Sequence, residues 1–171
     1  MRTLLLMRHA KSSWDRPDLA DVDRPLAPRG RKAAPLIARY LKEQRLIPDL
    51  VLCSPALRVR ETWQLMAPAL GGAVACKTLR SLYSAPPSRL LEPLRRVAGE
   101  VRILMGIGHN PGLGGLAAGL AGAGPRKALE RLRTKFPTAG LAVLSFEIER
   151  WAELTAARGR LEDFVRPKDL G

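Results

Sequence analysis

Apolar residues in this chain come in short blocks, each closed by proline, glycine or charge. Residues 4–7, 50–53, 101–108 and 141–146 are too short to span a bilayer, and their near-continuous hydrophobicity predicts strands covered on both faces. Residues 74–79 predict a less buried strand, and residues 161–165 a last one. Between the blocks the spacing turns helical. Pro28, Arg29 and Gly30 open one helix with apolar positions through Leu41, and Pro35 is placed to kink it or delay its regular part. Ser54 as N-cap and Pro55 in the first turn predict a second helix to about Leu70, broken by Pro68 and Gly71-Gly72. Residues 88–97 read as an amphipathic helix, and Pro111 starts a glycine- and alanine-rich one ending near Leu120; residues 122–125 predict a loop. This alternation predicts an α/β fold, a three-layer αβα sandwich on a mostly parallel sheet of about five or six strands. A length of 171 residues fits a single domain over residues 1–171.

In open α/β sheets, ligands bind beyond the carboxyl ends of the strands. The first block ends in Arg8-His9, and Lys11, Ser12 and Ser13 follow. Two cations, an imidazole and two hydroxyls suit an anion with several oxygens, a phosphate-shaped inventory. The chain has only two histidines, and His109 ends the block 101–108 as His9 ends the first. A histidine merely satisfied near a core would not predict that recurrence. The helix starting at Ser54 brings free N–H groups close to Arg58 and Arg60, again suited to an anion. Those arginines are two apart and cannot share a helix face, so only one should be aimed at the site. Asp15, Asp18, Asp21 and Asp23 fall in the charged, proline-containing loop after the first strand and read as solvated.

The formal net charge of +13 raises nucleic-acid binding as an alternative function. The cations are spread along the chain without a dense run, and aromatics make up 5%, too few for a base-stacking platform. A basic funnel for an anionic substrate fits better. Cys53 and Cys76 lack metal-type spacing, and two histidines without helical spacing add nothing to it, so no metal site is expected. The thiols fit a reducing compartment. The first apolar block is shorter than a secretory core and runs into Arg8-His9 with no cleavage site, so a cytoplasmic protein without membrane association is expected.

Taken together, Leu6 to Ser12 resembles the Arg-His motif of the histidine phosphatase superfamily, whose fold is shared with phosphoglycerate mutases. Pro25 to Gly30 resembles its helix-opening segment; Ser54 to Arg58 with Glu61-Thr62 resembles its second arginine motif, which selects Arg58 over Arg60; Gly108 to Pro111 resembles its second histidine motif. The continuation through Lys11, Ser12, Ser13 and Trp14, the short chain and the stretch from Phe136 to Gly140 are most similar to phosphohistidine phosphatases of the SixA type. Two departures stand out. Ala10 occupies a position where the family usually has glycine, and residues 80–89, where mutases and many esterases carry an acidic proton donor, hold no carboxylate.

The resemblance implies a metal-independent phosphatase with no cofactor, working through a phosphohistidine intermediate. His9 would be the nucleophile, Arg8, Arg58 and His109 would clamp the phosphoryl oxygens, and Lys11 or Ser12 would add a contact. Without a dedicated acid, an alkoxide leaves poorly, whereas a phosphorylated histidine can leave as neutral imidazole, whose conjugate acid has a pKa of ~6.5. The expected substrate is thus a phosphohistidine carrier protein, with a small phosphorylated molecule as the alternative. A cysteine-dependent phosphatase is a rival reading, but Cys53 and Arg58 have four residues between them where that class has five. A non-catalytic anion- or nucleic-acid-binding module is a further rival; pure binding has no use for a nucleophile.

Overall fold

The computed structural model describes residues 1–171. Seven strands form one sheet: β1 (Arg2–Arg8), β2 (Leu50–Cys53), β3 (Ala75–Thr78), β4 (Ile103–Gly108), β5 (Ala121–Ala123), β6 (Leu141–Phe146) and β7 (Gly159–Val165). Their order is β3-β2-β4-β1-β6-β7-β5, and β6 alone runs against the others. Five helices cover the faces: α1 (Pro28–Glu43), α2 (Leu57–Met66), α3 (Pro87–Arg95), α4 (Gly112–Leu120) and α5 (Arg126–Thr134). The architecture is the expected αβα sandwich. No helix is long and apolar enough to cross a membrane.

The strand blocks are almost wholly apolar because each serves two cores. Leu4 and Leu6 of β1 enter one cluster with Leu104, Leu113 and Leu116, while Leu5 and Met7 enter the other with Ile37, Leu41, Met105 and Met66. Successive side chains point to opposite faces, so a strand covered on both sides leaves no polar position. β3, at the sheet edge, is exposed along its length.

The strand count exceeds the expected five or six. β5 lies partly where a loop is predicted; Ala121 to Ala123 has no strand-like composition and joins β7 through its backbone. Helix α5 occupies a stretch for which no element is predicted; its core side is short, made of Ala128, Leu129 and Leu132, and only Leu132 is fully buried. Pro35 does not interrupt α1, which runs unbroken through it. Ser54 is not a helix cap: α2 starts at Leu57 with Ala56 as its cap, and the expected run to Leu70 divides into α2 and a 3-10 turn over Ala67–Leu70.

β1, β2 and β4 are parallel and end level, with Arg8 beside Gly108 and Cys53 beside Ile107. Whatever follows each strand therefore meets at one edge of the sheet. The connection from β1 to α1 folds over that edge and is closed at its base by a bridge between Ser12 and Leu26. Gly30 lets α1 pack there: a Cβ on it would lie 2.2 Å from the Lys11 carbonyl oxygen, so only glycine fits without moving backbone.

Candidate active site

Three strand ends supply the centre of the site. His9 follows β1, His109 follows β4 and Ser54 follows β2; all three are buried, and the two imidazole rings lie 5.4 Å apart. Arg8 ends β1, Arg58 rises from the first turn of α2, and the β1–α1 connection adds Lys11, Ser12, Trp14, Asp21 and Arg24. With the two histidines, Ser84, Asn110 and Thr138, these side chains line a cavity of about 330 Å³, and Ser54 lies behind its wall. Arg60 lies elsewhere, exposed, with its Nε donating to the Pro55 carbonyl (3.2 Å).

Hydrogen bonds fix the protons on both rings. His9 Nδ1 meets the Ala10 carbonyl oxygen at 2.7 Å; a carbonyl only accepts, so Nδ1 carries the proton and Nε2 keeps its lone pair. Ala10 itself is buried, and its N–H donates to Thr62 Oγ1 (3.1 Å), which donates to the Arg58 carbonyl (2.6 Å). Its Cβ, the departure from the family's glycine, is absorbed by the apolar cluster around Met7 and Val59. His109 is fixed from both sides. Arg58 Nη2 donates to Nδ1 at 3.2 Å, so Nε2 bears the proton and donates to Ser54 Oγ at 2.7 Å.

Both imidazoles are neutral at pH 7. Burial pushes His9 down to about 3, opposed by the bond to Ala10 and assisted by Arg58, and burial followed by the Arg58 charge pushes His109 down to about 4. The unfolded chain takes up these protons near pH 6.5 and the folded chain only far below it, so stability falls as pH drops from 6.5 towards 4. For His9 this amounts to on the order of 3 kcal/mol across that window. Denaturant titrations between about pH 4 and 7 should show a shallower decline for His9→Gln than for the parent, by up to about 1.4 kcal/mol per pH unit. Parallel slopes would mean that His9 titrates normally in the fold.

Asp21 corrects the picture of four solvated aspartates. Its carboxylate accepts from Tyr83 Oη, from Arg58 Nη2 (3.0 Å) and from Arg24 Nη1 (3.0 Å), and its carbonyl accepts from Arg58 Nη1 (2.7 Å). The Tyr83 bond, with Arg58 and Arg24, holds the Asp21 carboxyl far below the usual carboxylate range. Residues 80–89 do lack an acid, but their Tyr83 reaches the site, packing edge-on to His109 at 5.3 Å between ring centroids. Ser12 Oγ accepts from Arg24 Nη2, and Arg24 also stacks 3.3 Å from the centroid of exposed Trp14. Arg8 donates Nη1 to the Phe136 carbonyl (3.0 Å) and keeps Nε buried without an acceptor. Lys11 is exposed at the rim. Cys53 is buried in β2, its thiol pushed up by Cys76 at 3.5 Å and by burial, which does not suit a thiolate nucleophile.

Residues 4–83 match the histidine phosphatase superfamily, branch 1. The crystal structure of a protein from Agrobacterium tumefaciens, named there as a candidate phosphohistidine phosphatase SixA, is 33% identical, with a TM-score of 0.80 over 97% of this chain and 98% of that one. The chain belongs to the histidine phosphatase superfamily. A second structure, from Nakamurella multipartitia and named in the same way, is 29% identical with a TM-score of 0.82, covering 97% of this chain and 96% of that one. An uncharacterised protein of Mycobacterium tuberculosis is 39% identical over 168 residues, 95% of this chain and 100% of the relative. This histidine phosphatase thus has the mutase-like sandwich of SixA-type proteins and a phosphatase chemistry built on a histidine nucleophile.

Proposed function

We propose that this histidine phosphatase removes the phosphoryl group from phosphohistidine on a protein, passing it first to His9 and then to water. The observation that carries this reading is the state of Asp21. It is the only carboxylate lining the cavity, and Tyr83, Arg58 and Arg24 keep it ionised, so it has no proton to give at neutral pH. An alkyl phosphate needs that proton. Phosphohistidine does not: its second ring nitrogen takes a proton from water near neutral pH, and the ring departs as neutral imidazole. The names of the Agrobacterium and Nakamurella proteins support the same substrate class.

His9 Nε2 attacks phosphorus in line, and the P–N bond of the substrate breaks with its electron pair returning to the departing imidazole. Arg8 and Arg58 bear on the equatorial oxygens. Ser12, whose oxygen already accepts from Arg24, keeps its O–H for a phosphoryl oxygen, and Lys11 adds charge at the rim. His109 is neutral before substrate arrives; a dianion beside it favours protonation at Nδ1, which turns that atom from acceptor of Arg58 into donor to phosphate. Water then attacks phosphorus, the P–Nε2 bond breaks, and inorganic phosphate leaves with His9 neutral again.

Peptides of one sequence carrying phosphohistidine, phosphoserine or phosphotyrosine provide the test. A missing general acid is worth about 10²–10⁴-fold, so kcat/KM should favour phosphohistidine over phosphoserine by that order across neutral pH. Faster turnover of phosphoserine would make the protein a broad phosphomonoesterase instead.

A further inference from the structure

A trough of about 780 Å³ lies against the catalytic cavity and shares Lys11 and Thr138 with it. Its walls come from Lys11 after β1, the start of α1, one face of α5, the connection from α5 to β6, and the turn at Arg166 to Lys168. Helical geometry explains the α5 wall. Lys127, Glu130, Arg131 and Thr134 recur at i, i+3, i+4 and i+7 and so form one stripe, which lines the trough. Leu132, Ala128 and Leu129 occupy the opposite side and pack against the core.

The charge in this trough is uncompensated. Glu130, the only acid lining it, is engaged by Arg126 at 3.1 Å, and Arg166 is paired with Asp169 at 2.8 Å. Lys11, Arg29, Lys127, Arg131, Lys135 and Lys168 take part in no ion pair. Six like charges around one concavity repel each other and contribute nothing to folding, so their grouping fits a ligand of opposite sign. Phosphoryl transfer at His9 has no use for five of them. A substrate larger than its phosphoryl group, once seated at His9, can extend over the shared Lys11 and Thr138 into the trough. No aromatic ring lines it to stack a nucleobase, while Pro137, Pro167 and the stems of the lysines suit a polypeptide. The stripe from Lys127 to Thr134 is about 10 Å long, the reach of about three extended residues.

We propose that this trough docks an acidic segment of the phosphorylated protein, pairing with aspartate and glutamate side chains that flank the phosphorylated residue. The proposal rests on the reading that the substrate phosphate is carried by a protein. Exposed rim charges act chiefly on encounter and on KM, and salt screens them.

Four peptides test it, bearing phosphohistidine or phosphotyrosine between acidic or neutral flanks. The full-length enzyme is compared with a trough variant (Lys127→Glu, Lys135→Glu, Lys168→Glu) and with a charge-matched control outside the trough (Arg39→Glu, Lys42→Glu, Lys77→Glu). KM for acid-flanked peptides should rise about tenfold or more in the trough variant alone, with neutral-flanked peptides unchanged, and the parent's preference for acidic flanks should shrink with salt. Three lysine-to-glutamine changes at the trough positions should shift KM in the same direction by less. An equal loss in the control variant would mean a diffuse field and overturn the assignment. So would an equal loss with neutral flanks, or duplex DNA competing more tightly than the free acidic peptide. Flank selectivity that persists on phosphotyrosine peptides while phosphohistidine stays inert retains the trough and removes only the substrate reading.

Discussion

Alanine at position 9 is expected to lower turnover by roughly 10⁴-fold or more, because no other group near the phosphoryl position offers a free lone pair in line. His9 is neutral and its Nδ1 proton is held by the Ala10 carbonyl, which leaves Nε2 as the nucleophilic atom. His109, the other imidazole, has both nitrogens engaged, by Arg58 and by Ser54. The proposed anion clamp is left in place in His9→Ala, since Arg8, Arg58 and His109 are untouched, so competitive inhibition by inorganic phosphate should stay within about tenfold of the parent. Rapid quenching of the parent during turnover should trap a phosphoenzyme that is stable in alkali, labile in acid and located at His9. Turnover in His9→Ala within tenfold of the parent, or label on His109, would move the nucleophile to the second histidine.

How far the sequence exposes this site depends on the kind of residue. Arg8, His9 and His109 were legible because strands buried on both faces are continuous apolar blocks, and the first polar residues after such blocks stand at the ligand-binding edge. The same logic applied to β2 would have marked Ser54, which follows its last residue directly; its resemblance to a helix cap concealed its bond to His109. Asp21 was not legible. Four aspartates share its loop, and only the folding of that loop over the sheet edge decides which one meets Arg58, Arg24 and Tyr83. Among the elements, α5 and β5 were missed for related reasons. α5 is regularly amphipathic, but its apolar side is only Ala128, Leu129 and Leu132 set in a run of charge, and β5 is held by backbone pairing to β7 without strand-forming side chains. The sequence showed the excess positive charge of the chain, but its concentration beside the site depends on α5 and so needed the fold.

Arg58→Lys is expected to lower kcat/KM by about 10²–10³-fold although it preserves the charge. Arg58 does three jobs with one planar group: Nη1 donates to the Asp21 carbonyl (2.7 Å), and Nη2 donates to the Asp21 carboxylate (3.0 Å) and to His109 Nδ1 (3.2 Å). An ammonium on a flexible stem cannot span the loop and the ring at once and still meet a phosphoryl oxygen, so both the loop carrying Asp21 and the ring of His109 lose their anchor. Charge and shape separate through His109. Burial and then the Arg58 cation keep that ring neutral, so removing the cation favours the imidazolium. In Arg58→Ala the His109 titration, followed by ring-proton NMR, should move up from about 4 towards 6.5, while in Arg58→Lys it should stay close to the parent value despite the loss of activity. A lysine variant with parental kcat/KM would show that position 58 supplies charge alone, and a His109 titration unmoved in the alanine variant would place Arg58 outside the electrostatics of the second histidine.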